Sequence, residues 1–302
     1  MAKQSLNFYK GVPRLRHLKL LKEIIIVLVA IGIIAGGVYL ALNYFAPGTI
    51  QQETVKPTTT PKKKQQIKLV AVGDSLTQGV GDDTKQGGYV GLIKTKLTEQ
   101  QHVKTQTKNY GIAGETSTQI NQRVQQNTDL QQDLKRADII TLSVGGNDVM
   151  AVLKQEMLDI DEATLSTARQ KYTRHLTQLL QNVRHYNAQA PIFVFSIYNP
   201  FYVYFPKMTK MQTVVTDWNK ASKAVIRQQH NSYFVDVSEQ LSKGEKLTTA
   251  KHKAKKGKQK NALIFTTDNF HPNHSGYQVM ADDLYRQLMQ QKNKWLLDRK
   301  SS

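Results

Sequence analysis

The sequence predicts an α/β fold, a five-stranded parallel sheet with helices on both faces, preceded by one helix able to span a membrane. Three observations predict it. Ile24 to Leu42 is a run of 19 residues without a charge. From Ile67 onward, short apolar runs alternate five times with longer stretches of helical period, an order of βα units that implies a parallel sheet covered on both sides. Between these two parts, the stretch PGTIQQETVKPTTTPKKKQQ is too polar to bury apolar surface and reads as a tether.

Composition narrows the functions. A chain of 302 residues with 39% hydrophobic and 22% charged residues has ample core for an enzyme and is not a disordered chain. It contains no Cys, which excludes disulfides, zinc fingers, Fe–S clusters, a cysteine nucleophile and a lipid-bearing cysteine. No close His/carboxylate cluster has metal-ligand spacing, so neither a metal nor a cofactor is expected. The net charge of +19 is concentrated in three segments. Residues 1–23 carry six Lys/Arg against one Glu, residues 47–66 four Lys against one Glu, and residues 243–260 eight Lys against one Glu. The rest of the chain is only mildly basic, which argues against a nucleic-acid-binding field.

The elements follow in chain order. Lys3, Lys10, Arg14, Arg16, Lys19 and Lys22 precede the apolar run, which places residues 1–23 in the cytoplasm by the positive-inside rule. As a helix the run spans about 28 Å, close to the hydrocarbon thickness of a bilayer. Tyr44 and Phe45 follow where an interfacial belt lies, so the anchor is placed at 24–46. A buried core helix and a cleaved signal peptide are the other readings. The lack of a polar face argues against the first, and the run length and the absence of a clear small-x-small site against the second. Residues 47–66 are the tether, with a reach of roughly 25 Å. Residues 67–302 are then an extracellular domain. Its expected strands are 67–72, 103–110, 138–144, 191–197 and 232–237. Its expected helices are 89–100, 117–134, 165–186, 208–230 and 274–296.

Ligands in open parallel sheets bind beyond the carboxyl ends of the strands, so the polar residues there matter most. After the first strand comes Gly73-Asp74-Ser75-Leu76-Thr77. Ser75 sits near a helix N-terminus, as a cap or as an exposed hydroxyl. Thr77 stands where the second Gly of a G-x-S-x-G elbow belongs, so this is not that motif. After the second strand, Thr116 and Gln119 fit a capping box, and Gly114 just before them can present its N–H without a side chain in the way. The third strand runs into Val144-Gly145-Gly146-Asn147-Asp148, where Asn147 offers an uncharged donor or a helix cap. Near the C-terminus, Asp268 and His271 share one loop, and the carboxylate can hold one ring nitrogen while the other serves as a base. His274 is a rival base but falls inside the following helix. A hydroxyl, two donors and an Asp–His pair facing one cleft are the parts of an acyl-transfer site.

These residues in this order resemble the SGNH hydrolases, or GDSL esterases and lipases. The resemblance covers about residues 67–296 and implies a three-layer α/β/α sandwich, flavodoxin-like in its five-stranded sheet. Gly73-Asp74-Ser75-Leu76 is similar to the first block, which implies that Ser75 is the nucleophile. Gly114 and Asn147 match the second- and third-block residues, which implies an oxyanion hole of the Ser75 and Gly114 N–H groups and the Asn147 side chain. Asp268-x-x-His271 matches the last block, which implies the orienting acid and the general base. The implied substrate is an acyl ester, either a lipid or an O-acylated glycan. The departure is the Lys-rich insert from Lys243 to Lys260, just upstream of the catalytic loop.

Two segments bear on partners. Asn199-Pro200-Phe201-Tyr202-Val203-Tyr204-Phe205-Pro206 follows the fourth strand and either lines an acyl groove or packs as a lid. The insert is a solvated loop or a surface for anionic lipid headgroups or cell-wall polyanions, at ~1 kcal/mol per Lys near such a surface. Two functions compete: a membrane-anchored serine esterase, and a non-catalytic envelope-binding module that uses the insert on the same scaffold. The presence of Ser75, Asn147, Asp268 and His271 favours the esterase.

Overall fold

The structure, a computed structural model, describes residues 14–45, 62–155, 161–244 and 260–298. The chain divides into two compact units, Met1–Thr60 and Pro61–Ser302. In the first, helix α1 (Arg14–Phe45) exposes its large apolar side chains from Leu20 to Phe45. Its stretch Lys19–Phe45 is long and apolar enough to cross a membrane. A helix as uniformly apolar as this stretch suits hydrocarbon, as a membrane span or as a signal sequence.

The second unit is built on five parallel strands: β1 (Gln66–Gly73), β2 (Lys104–Gly111), β3 (Ile139–Ser143), β4 (Ile192–Phe195) and β5 (Ser232–Val235). They lie in the order β2-β1-β3-β4-β5, the doubly wound flavodoxin-like order. The chain reverses its direction of progress across the sheet between β1 and β3. Register aligns Gly73 with Gly111 on one side and with Ser143 on the other, so three strands end level at that crevice.

Side chains alternate between the faces of each strand, which explains the unbroken apolar runs. Val70, Val72, Ile140, Leu142, Ile192 and Val194 pack on one face. There they meet α4 (Ser117–Gln126), α5 (Thr128–Lys135), α6 (Gly146–Gln155), α7 (Glu162–Tyr186) and α8 (Thr209–Arg227). Leu69, Ala71, Ile139, Phe193 and Phe195 turn to the other face. That face meets α3 (Gly88–Gln101), α9 (Ser238–Lys243), α10 (His274–Gln290) and α11 (Lys292–Trp295). The result is the expected three-layer α/β/α sandwich. A further single turn, α2 (Ser75–Gln78), follows β1.

The helices differ from expectation at several places. The helix expected over 117–134 is two, because Asn127 takes an extended conformation (φ −92°, ψ 108°) and its side chain caps α5 by accepting from Leu130 N. The last helix breaks at Gln291. Helices α6 and α9 lie outside the expected ranges, and Asn147 falls inside α6 rather than capping it.

Of the expected tether, 47–61 lie outside the described residues, and 62–65 run along the domain. Lys63 pairs with Leu297 in an antiparallel bridge, Lys64 N donates to Leu296 O (2.8 Å), and Asp298 N donates to Lys62 O (2.7 Å). The Lys64 ammonium pairs with Asp138. The Lys-rich insert lies outside the described residues apart from Lys243, Gly244 and Lys260.

Candidate active site

Strand β1 ends at Gly73, where an added Cβ would lie 2.4 Å from Ser143 Oγ, so only glycine lets β1 and β3 close together here. Asp74 caps α2: its Oδ1 accepts from Leu76 N (3.0 Å) and from the Ser143 hydroxyl (2.7 Å). Ser75 is therefore not the cap but the first residue of the turn, 6% exposed at the floor of a cleft.

The hydroxyl of Ser75 meets an imidazole from the far end of the chain. His271 Nε2 lies 2.9 Å from Ser75 Oγ, and His271 Nδ1 lies 2.7 Å from Asp268 Oδ2. The other carboxylate oxygen of Asp268 accepts from the backbone N–H of Phe270 (2.8 Å) and His271 (3.0 Å). With Nδ1–H donated to the carboxylate, Nε2 is left as an acceptor for the serine proton. The loop is fixed from outside by the Ile264–Pro272 bridge, by Tyr198 OH donating to Phe270 O (2.5 Å), and by Asn273 capping α10.

Burial pushes the Asp268 carboxyl up, but the hydrogen bonds from the His271 ring and the two amides outweigh it and hold it below the ordinary carboxylate value. Asp74 goes the other way. Burial raises it to about 6 against the hydrogen bonds from Ser143 and Leu76 and the nearby charge of His271. Its partner Ser143 continues a buried hydroxyl chain through Thr77 (2.7 Å), Tyr89 (3.0 Å) and Thr141 (3.1 Å).

Gly114 and Asn147 come from the neighbouring strand ends. Gly114 has φ +84°, nothing lies within 4 Å of where its Cβ would be, and its N–H makes no hydrogen bond among the described residues. Asn147 is in the first turn of α6, and its Nδ2 donates to Glu115 O (2.8 Å). Asp148 accepts from Ser117 N (2.9 Å) and Oγ (2.5 Å), so the two turns are stitched together. Asn147 lines the same cleft as Ser75, with Ile197, Tyr198, Pro200 and Phe270. Gly145 is required by its positive φ (+108°) and because a Cβ would lie 2.7 Å from Tyr172 OH.

The rival base is committed elsewhere. His274 Nδ1 lies 2.8 Å from Thr84 Oγ1 and 3.2 Å from Asp82 Oδ1, and its Nε2 contacts Gln278. In the aromatic segment after β4, Phe201 packs near Phe270 (6.2 Å between ring centroids), whereas Phe205 is 54% exposed.

Two supports of the site carry no sequence signal of their own. Ser143 is one hydroxyl at the end of an apolar strand. Arg123, on α4, spends its guanidinium on Glu115, Tyr110 O and Gly73 O. Only the capping-box register of α4 could have suggested that Arg123 turns back toward the strand ends.

Comparisons with known proteins place the chain in a family. The model of the GDSL-like lipase/acylhydrolase family matches residues 71–279. The chain is 29% identical over 228 residues to the protein YpmR of Bacillus subtilis, covering 75% of this chain and 83% of that one. It is 23% identical over 222 residues to the spore germination lipase LipC of Bacillus licheniformis, covering 72% and 94%. Among solved structures, the lipase Lip_vut3 from a goat rumen metagenome superposes with a TM-score of 0.60 at 21% identity, covering 73% of this chain and 97% of that one. A variant of the acetyl-xylooligosaccharide esterase Axe2 of Geobacillus stearothermophilus gives 0.53 at 20%, covering 79% and 100%. The two structural likenesses show a shared fold, and the family match spans more than half of the sequence. The chain belongs to the GDSL-like lipase/acylhydrolase family and is a carboxylic ester hydrolase.

Proposed function

We propose that this protein is a membrane-anchored serine esterase whose domain faces outward from the cell and cleaves acyl esters through an acyl-enzyme. The observation that carries the mechanism is the continuous chain from Ser75 Oγ to His271 Nε2 (2.9 Å) and from His271 Nδ1 to Asp268 (2.7 Å). His271 takes the serine proton as Oγ attacks the ester carbonyl. Asp268, ionised, keeps the ring in the tautomer that accepts this proton and stabilises the imidazolium that results. The oxyanion falls to the N–H groups of Ser75 and Gly114 and to the Asn147 N–H that Glu115 O does not hold. His271 then protonates the leaving alcohol and, as base again, activates water against the acyl-enzyme.

The test is Ser75→Ala with a fluorophosphonate label. Wild type should take the label at Ser75 and hydrolyse p-nitrophenyl esters, and the variant should do neither. Labelling or near-native turnover in the variant would refute the assignment. The substrate is proposed to be a lipid or an O-acylated glycan, and an ester series of increasing chain length separates the two.

Anchoring rests on the exposed apolar helix Lys19–Phe45 and on the cations before it. Because the chain has no Cys, single cysteines placed at Ser5 and Thr95 can be labelled from outside whole cells without background. Only Thr95→Cys should react, and reaction of Ser5→Cys would reverse the topology. The eight lysines of 243–260 are proposed to meet anionic lipid or wall polymer. Deleting that stretch should weaken binding to anionic vesicles or wall preparations.

A further inference from the structure

We infer that Arg123 is the positioning residue of the oxyanion hole, holding Gly114 and Asn147 in register with Ser75. The inference rests on the proposed role of those three residues and adds a residue to it. The Arg123 guanidinium is nearly buried, at 12% side-chain exposure, and it reaches three separate segments. Nη1 donates to Tyr110 O (2.8 Å) at the end of β2. Nη2 donates to Gly73 O (3.2 Å) at the end of β1, two residues before Ser75. Nε donates to both carboxylate oxygens of Glu115 (3.2 and 3.0 Å), and Nη2 completes a forked pair at 2.5 Å.

Glu115 is the lever. Its neighbour in sequence is Gly114, and its own carbonyl accepts one of the two N–H bonds of Asn147 (2.8 Å). Fixing Glu115 therefore fixes a backbone donor and a side-chain donor at once. Gly114 cannot fix itself, since it has a positive φ and no side chain to pack. The fork also explains why this residue is Arg. A planar guanidinium donates in several fixed directions together, which the single ammonium of Lys cannot do. Preorganised donors stabilise an oxyanion because they need no reorganisation when charge develops, so loosening them costs rate rather than substrate binding.

The test uses the full chain in detergent, with Arg123→Ala, Arg123→Lys and Glu115→Gln beside Asn147→Ala, each assayed on a short-chain p-nitrophenyl ester. Arg123→Ala should lose about 10²-fold in kcat with KM changed less than about threefold. The shape of its pH–rate profile should match that of wild type. Millimolar guanidinium chloride should restore much of its rate and restore none to Asn147→Ala, while Arg123→Lys should stay impaired. Equal loss through KM without guanidinium rescue, or a kcat within about threefold of wild type, overturns the inference. If Arg123→Ala does not fold, Glu115→Gln decides: it keeps the side-chain shape, and an unchanged kcat overturns the inference. An active Asn147→Ala would instead bring down the underlying oxyanion assignment, and this inference with it.

Discussion

Replacing Asp74 by Asn should stabilise the domain at high pH and not at low pH. Asp74 is 4% exposed, and burial raises its carboxyl from the ordinary 3.8 to about 6. A carboxyl raised in the folded state binds its proton more tightly there than in the unfolded chain. Its contribution is complete below about 3.8 and is lost as pH rises through about 6. The displacement is worth about 3 kcal/mol between the two limits. Asn has the same shape, keeps an oxygen for Leu76 N–H and the Ser143 hydroxyl, and does not ionise. Asp74→Asn should therefore be near neutral in stability at pH 4 and more stable than wild type by up to about 3 kcal/mol at pH 8. Urea denaturation of residues 61–302 at several pH values measures this. Trp218 and Trp295, both essentially fully buried, report unfolding by fluorescence. A stability difference that does not vary with pH, or a wild type more stable at pH 8, would refute the reasoning.

Other expectations follow from single contacts. Asp268→Asn should fold normally but lose about 10²–10⁴-fold in kcat, because an amide facing His271 Nδ1 drives the proton to Nε2, the wrong tautomer for accepting from Ser75. Activity within about tenfold of wild type would contradict the role given to Asp268. Gly145→Ala should cost about 2–4 kcal/mol in denaturation, from a positive φ and a Cβ 2.7 Å from Tyr172 OH. A protein truncated to 67–302 should be less stable than 61–302 by about 2–4 kcal/mol, having lost the backbone bonds of Lys62 and Lys64 and the ion pair with Asp138. Equal urea midpoints would show that this segment contributes nothing.

The strands were legible because a sheet buried on both faces needs continuous apolar runs. Leu69-Val70-Ala71-Val72 feeds both cores at once, with alternate residues to each. Strand β2 was less plainly marked, because its edge position leaves it polar, with Lys104 and Lys108, and only Val103, Thr105, Thr107 and Tyr110 give it β character. Helix ends were less legible. Apolar spacing continues across Asn127, and nothing in periodicity marks a residue that steps out of the helix to cap the next one. The docking of 62–65 was illegible because Lys and Gln read as solvated, and their partners Leu296 and Asp138 lie far along the chain.

The site divides along the same line. Ser75, Gly114, Asn147, Asp268 and His271 could be singled out because each stands where an apolar run has just stopped or a helix is about to start. The topology brings such places to one edge of the sheet whatever the side chains are. What holds them in place depends on pairings that local sequence does not encode. Ser143 reaches Asp74 across 69 positions and Arg123 reaches Gly73 across 50. Both partners are polar groups on the rim of an apolar core, where any one Ser or Arg looks like any other. The order β2-β1-β3 turns them into structure, because it ends three strands level and leaves their last carbonyls and hydroxyls to satisfy one another. Ser75, at the tip of the middle of these three strands, is held from two sides: a buried acid caps its turn and a buried guanidinium ties the strand ends, which is the rigidity its proposed role as nucleophile needs.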